Sequence, residues 1–110
     1  MRLPNGDRAI VDDAKLLSYC LSPTHARGRH KARLFAAKLG FTRHHSITLR
    51  TALLAAARNV DAVAIRRNSH GQMYEIRFEC TGPVGTAILL SVWILLDSSE
   101  IPRLVTCYPL

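Results

Sequence analysis

The apolar positions of this chain change their spacing once, near residue 60. Before that point they recur every three or four residues, as on a helix. Beyond it they alternate, as in a strand. Leu16, Leu17 and Cys20 share one side of a helix predicted over residues 14–21, which Asp12 or Asp13 can cap and Ser22-Pro23 ends. Ala32, Phe35, Ala36 and Leu39 line one face of a second helix, residues 29–39, with Gly40 as its stop. Ile47, Leu49, Leu53, Leu54 and Ala57 supply the apolar positions of a third, residues 46–57, with Ser46 as its cap.

Strands are predicted over residues 60–66, 72–80, 86–96 and 103–108. In the second, Tyr74, Ile76, Phe78 and Cys80 take one face, and Met73, Glu75, Arg77 and Glu79 take the other. The third is apolar on both faces, as a central strand is. In the last, strict alternation puts Thr106 and Tyr108 on one face and Arg103 and Cys107 on the other. Residues 3–11 read as a small hairpin about the Asn5-Gly6 turn. The fold class is therefore α+β: an N-terminal hairpin and two to three helices packed on a four-stranded antiparallel β-sheet. A length of 110 residues fits a single domain, with a helical half at 1–58 and a sheet half at 59–110.

Composition adds two things. Apolar residues make up 48% of the chain, which suits a globular domain. The longest apolar stretch, residues 84–96, is broken by Gly85, Thr86 and Ser91 and falls short of the ~20 residues of a membrane span. The start of the chain carries no signal-peptide pattern, so a soluble, cytoplasmic protein is expected. Cys20, Cys80 and Cys107 form no C-x-x-C pair and each lies in an apolar run, as buried small hydrophobes do in a reducing compartment.

Charge changes the picture more. The net charge is +7, and residues 14–58 hold nine Lys and Arg and no Asp or Glu. Residues 59–110 hold four basic and five acidic side chains. A basic half without carboxylates forfeits every local helix ion pair, which points to a polyanionic partner rather than to solubility alone. The densest part is Arg27, Gly28, Arg29, His30 and Lys31, at the start of the second helix. Free amides and the helix dipole already favour an anion there, and Gly28 lets a ligand approach the backbone. Arg33 and Lys38 extend the basic surface along the helix. Adjacent His44 and His45 point apart and do not chelate one ion, and no cofactor motif occurs.

If the anion is RNA, cleavage without metal needs an acid or base and cations for the charge that grows on the phosphoryl oxygens. His30 suits the first role, Lys31, Arg29 and Arg33 the second. Thr106, Tyr108 or Ser91 offers a positioning hydroxyl.

The run LSYCLSPTHARGRHKARLFAAKLGF, a later Trp93-Ile94 strand and the closing PRLVTCYPL resemble a family of small uncharacterised bacterial domains over nearly the whole chain. The most specific motifs are Gly28–Ala32 and Leu104–Tyr108. The layout is in turn similar to the barnase–EndoU–colicin–RelE group of ribonuclease toxins. That likeness implies a metal-independent ribonuclease toxin neutralised by a small acidic antitoxin or immunity protein. The first resemblance singles out Gly28–Ala32 and Thr106–Tyr108, and with the reading of the residues above it makes His30, Lys31 and Thr106 the expected catalytic residues, with Arg27, Gly28, Arg29, Arg33, Lys38 and Tyr108 expected to hold RNA. The sheet half lacks the Arg and Lys run of ribosome-dependent toxins, which argues against ribosome-bound messenger RNA and leaves free RNA or tRNA open. A non-catalytic nucleic-acid-binding module and an interaction protein with an acidic partner are the rival expectations.

Overall fold

The computed structural model describes residues 1–110. A short helix α1 (Asp13–Lys15) runs directly into a π turn (Leu16–Cys20). Two longer helices follow, α2 (Arg29–Leu39) and α3 (Ser46–Asn59), the second entered through a 3-10 turn (Arg43–His45). Four strands complete the chain: β1 (Val63–Arg67), β2 (Gly71–Thr81), β3 (Thr86–Leu96) and β4 (Arg103–Pro109). They form one antiparallel sheet in the order β1-β2-β3-β4, so the α+β reading holds. No helix is long and apolar enough to cross a membrane.

The helices cover one face of the sheet. Phe35 and Leu39 of α2 and Leu49, Leu53, Ala56 and Ala57 of α3 are buried against Tyr74, Ile76, Leu89 and Trp93. The i, i+4 spacing that predicted the helices is thus the spacing that builds the core. Ile47 departs from it: it is 79% exposed, because α3 turns residues 49, 53, 56 and 57 inward and Ile47 falls on the outer side. Within the core Ser91 is fully buried. Its hydroxyl donates to the Ile76 carbonyl at 2.9 Å and accepts from the Trp93 indole at 3.0 Å. Ser91 is therefore a structural bridge, not a phosphate-positioning hydroxyl.

Three local expectations are corrected. The N-terminal hairpin does not form. Asn5 does take the left-handed conformation (φ 53°), but a 3-10 turn (Gly6–Arg8) follows it. The two flanks then pair elsewhere, Arg2 with Asp61 and Ile10 with Arg103 beside β4. Leu3 and Val11 are both drawn into the core, which separates the would-be strands. Neither Asp12 nor Asp13 caps α1 with its side chain. Asp13 instead meets Arg50 of α3 at 3.0 Å, and Asp12 meets Arg103 of β4 at 3.5 Å. Nor is Ser46 the cap before α3: the Thr42 hydroxyl accepts the His44 amide, and His45 Nδ1 accepts the Thr42 amide at 3.0 Å.

β4 does not alternate cleanly. Cys107 pairs with Ser91 and Leu104 with Trp93, so Val105 is an extra residue that the partner strand does not match. Arg103, opposite Ile94, and Cys107, opposite Ser91, consequently lie on different faces and not on one. Thr106 and Tyr108, opposite Val92 and Leu90, do share a side.

Candidate functional site

The first turn of α2 is held from both directions by the segment before it. The amides of Arg27 and Gly28 both donate to His25 Nδ1, at 3.0 and 2.9 Å, and the Arg29 amide donates to the His25 carbonyl. His25 therefore caps this helix with its ring, and three amides expected to be free are occupied. Those of His30 and Lys31 have no protein acceptor. Gly28 lies directly against the backbone of Tyr19. A Cβ there would overlap the Tyr19 carbonyl oxygen and stand 2.7 Å from its carbon. The glycine thus serves the close packing of α2 on the π turn, rather than the approach of a phosphate.

The basic side chains of the motif then diverge, because successive helical residues turn by about 100°. Arg29 and Arg33, one turn apart, face a groove of about 570 Å³ between α2 and the segment after it. Arg43 and His44 line its other wall, and Leu21, Pro23, Ala32, Ala36 and Phe41 its floor. Gly40 builds this groove: its left-handed conformation (φ 74°) stops α2 and turns the chain back. Arg43 is fixed by a 3.0 Å bond from Nε to the Leu17 carbonyl. The ion pairs of the molecule leave Arg27, Arg29, Arg33, Lys38 and Arg43 without a carboxylate. Arg43 and His44 were missed by sequence reasoning, which stopped at the helix start.

His30 sits on the outer surface of α2, about 60° round the helix from Arg33, exposed and without a protein hydrogen bond. Arg27 is exposed in the turn before α2, and Lys38 lies exposed at the far end of the helix.

Lys31 turns the other way, onto β4. Its ammonium stands 5.1 Å from the centre of the Tyr19 ring and 5.6 Å from that of Tyr108. The Gly28–Ala32 motif and the terminal Leu104–Tyr108 motif do therefore converge, at Lys31. What they enclose is a thiol pair. Cys107 Sγ donates to Cys20 Sγ at 3.8 Å, and both side chains are fully buried. The Cys20 thiol is held below its ordinary range chiefly by this bond. The Thr106 hydroxyl and the Lys31 charge act in the same sense, against burial. Cys107, which keeps its proton for Cys20 and is itself buried, is pushed well above that range. The Thr106 hydroxyl is buried and makes no hydrogen bond within the chain. Lys31, Thr106 and Tyr108 thus form one cluster and Arg29 and Arg33 another, while His30 touches neither. Nothing in the sequence points to the thiol pair, since its members lie 87 residues apart.

Residues 2–110 match a family described as a domain of unknown function, DUF6883. No curated protein and no solved structure matches the chain.

Proposed function

The chain belongs to that family, and from this premise we propose an RNA-binding, ribonuclease-like toxin domain that acts on phosphodiesters without metal. The observation behind this reading is the groove that sets Arg29, Arg33, Arg43 and His44 around an apolar floor with no carboxylate among them. Guanidinium forks bind phosphate oxygens in pairs and keep their charge at every physiological pH. The apolar floor, with Pro23 and Ala36 exposed, offers a dry surface for a ribose or a base. Unpaired cations at the start of α2 oppose the helix dipole, each by roughly 0.3–1 kcal/mol, and a bound phosphate removes that opposition.

In this reading His44 lines the groove, and His30, exposed on the outer surface of α2, meets the RNA from outside it. One imidazole takes the 2′-hydroxyl proton and the other protonates the leaving 5′-oxygen, leaving a cyclic phosphate. Arg29, Arg33 and Arg43 carry the charge that develops on the phosphoryl oxygens. Lys31, Thr106 and Tyr108 support the helix start from the sheet side. The substrate class is free RNA, tRNA included. A small acidic antitoxin or immunity protein covers the same carboxylate-free surface.

The test is incubation of the purified protein with RNA in EDTA. The expected outcome is cleavage with cyclic phosphate ends, lost in His30→Ala and in His44→Ala with thermal unfolding unchanged. A second reading, a non-catalytic nucleic-acid-binding module, is favoured by one observation: His30 bonds to no protein group that would orient its ring. Salt-sensitive binding without cleavage selects it. Absence of RNA binding at low salt excludes both readings.

A further inference from the structure

Cys20 closes the π turn and Cys107 lies in β4, yet the fold brings their sulfurs to 3.8 Å inside the core. Neither cysteine lines the basic groove, so a role for the pair is independent of RNA binding. We propose that Cys20 and Cys107 are a covalent modification site, at which a small peroxide reversibly converts the two thiols into an intramolecular disulfide.

Four observations carry this. The sulfurs already touch, so bond formation needs each side chain to move by less than an ångström or so toward the ~2.05 Å of a disulfide. The surroundings are built for a thiolate at Cys20. The Cys107 thiol points its proton at it, the Thr106 hydroxyl is buried with no hydrogen-bond partner, and the Lys31 ammonium is held nearby between Tyr19 and Tyr108. Cys80 is also buried but lacks a sulfur bonded to its own, so the pair is selective within the molecule. Finally, both sulfurs are fully buried, so an oxidant reaches them only when the core opens locally, which favours a small one such as hydrogen peroxide over bulky disulfides and protein thiols.

The chemistry balances in two steps. The Cys20 thiolate attacks one peroxide oxygen and the O–O bond breaks. Hydroxide leaves, takes up the proton that Cys20 released and becomes water, and Cys20 carries a sulfenic acid. The Cys107 sulfur then attacks the Cys20 sulfur. The S–S bond forms, the S–O bond breaks, and the departing hydroxide takes the Cys107 proton as a second water. Two electrons pass from the two sulfurs to the peroxide, and an added dithiol returns them. The bond would tie the π turn, on which Gly28 of α2 rests, to β4.

The experiment treats the folded wild-type protein with hydrogen peroxide at neutral pH and maps its peptides by mass spectrometry, with Cys80→Ser in parallel. The expected product has lost two hydrogens, joins the Cys20 peptide to the Cys107 peptide, and reverts with a dithiol. Its thermal midpoint is higher than that of the reduced protein by on the order of 10 °C. In Cys107→Ala the same treatment adds oxygen to Cys20 and forms no internal bond. The proposal is overturned if the wild type keeps its reduced mass. It is equally overturned if Cys80 or a second molecule supplies the bond, or if Cys20 gains oxygens while Cys107 stays a free thiol.

Discussion

Gly28 rests on the carbonyl of Tyr19 so closely that no side chain fits between them. The backbone at Gly28 is right-handed (φ −78°, ψ −19°), a conformation any residue adopts, so the contact and not the dihedral selects glycine. Gly28→Ala gains helix propensity of up to about 1 kcal/mol. It must nevertheless push α2 away from the π turn, and a net loss of ~2–3 kcal/mol is expected. Urea unfolding measures it. A loss below about 0.5 kcal/mol would show that α2 shifts without cost and that the contact constrains nothing.

Ser91 joins two strands and an indole in the driest part of the core. In Ser91→Ala the Trp93 N–H stays buried and loses its acceptor, at a cost of ~2–3 kcal/mol. Denaturant unfolding followed by Trp93 fluorescence reads it, since Trp93 is the single tryptophan. A change under about 0.5 kcal/mol would mean that water reaches the indole, against its full burial here.

The bounds of helix α2 were legible because its local signals agree, with apolar positions at 32, 35 and 39 buried and a glycine at the stop, although Ala36, read onto the same face, is exposed. The alternation of β2 was legible in part: Tyr74, Ile76 and Cys80 are buried, but Met73 on the other face is buried as well and Phe78 is half-buried. What failed depends on partners distant in sequence. The Asn5-Gly6 turn lost its hairpin because Leu3 and Val11 each found the core. The extra residue at Val105 changes the face of Arg103, and no residue type announces it. His25 caps α2 through a ring nitrogen, a role more usual for Ser, Thr, Asp or Asn, so its residue type did not announce it. The basic cluster was legible as a composition but not as a shape. Helical rotation splits Arg29 and Arg33 from Lys31, and the turn at Gly40 supplies Arg43 and His44 from outside the motif.

The thiol pair makes stability depend on pH in the alkaline range. Cys20 is shifted down, so its contribution is present above its unfolded value and fades as pH falls through the folded one. Cys107 and Cys80 are shifted up, so theirs is present below the unfolded value, about 8.5, and is lost as pH rises beyond it. The urea midpoint of the reduced protein is therefore expected to climb toward pH ~8.5 and fall above it, once lysine and tyrosine titration is accounted for with Cys20→Ser. Thiolate absorbance gives the sharper check. Cys107→Ala removes the main donor to Cys20, and the lowest thiolate transition should move to higher pH. An unmoved transition would show that Cys107 does not hold the Cys20 thiolate.

RNA affinity should depend on the groove side chains individually and on the sheet arginines hardly at all. A cation that contacts phosphate releases counterions when RNA binds, and on a single strand each contact adds about 0.7 to the slope of log affinity against log salt. Arg29, Arg33 and Arg43 face one groove and have no carboxylate to satisfy them first, so each is free to make such a contact. Arg29→Ala, Arg33→Ala and Arg43→Ala are each expected to lower the slope by about 0.7 and the affinity by roughly three- to tenfold, whatever the RNA sequence. Arg43→Ala also frees the Leu17 carbonyl, so its unfolding is measured alongside. Lys38→Ala, at the other end of α2, should cost less. Arg77→Ala is the control on the sheet: that side chain is already bonded to Glu75 at 2.6 Å and should leave the slope unchanged. Salt titration of a fluorescent single-stranded RNA supplies both numbers. Equal losses for Arg77 and for the groove arginines would mean that RNA responds to net charge alone and that the groove is not its seat.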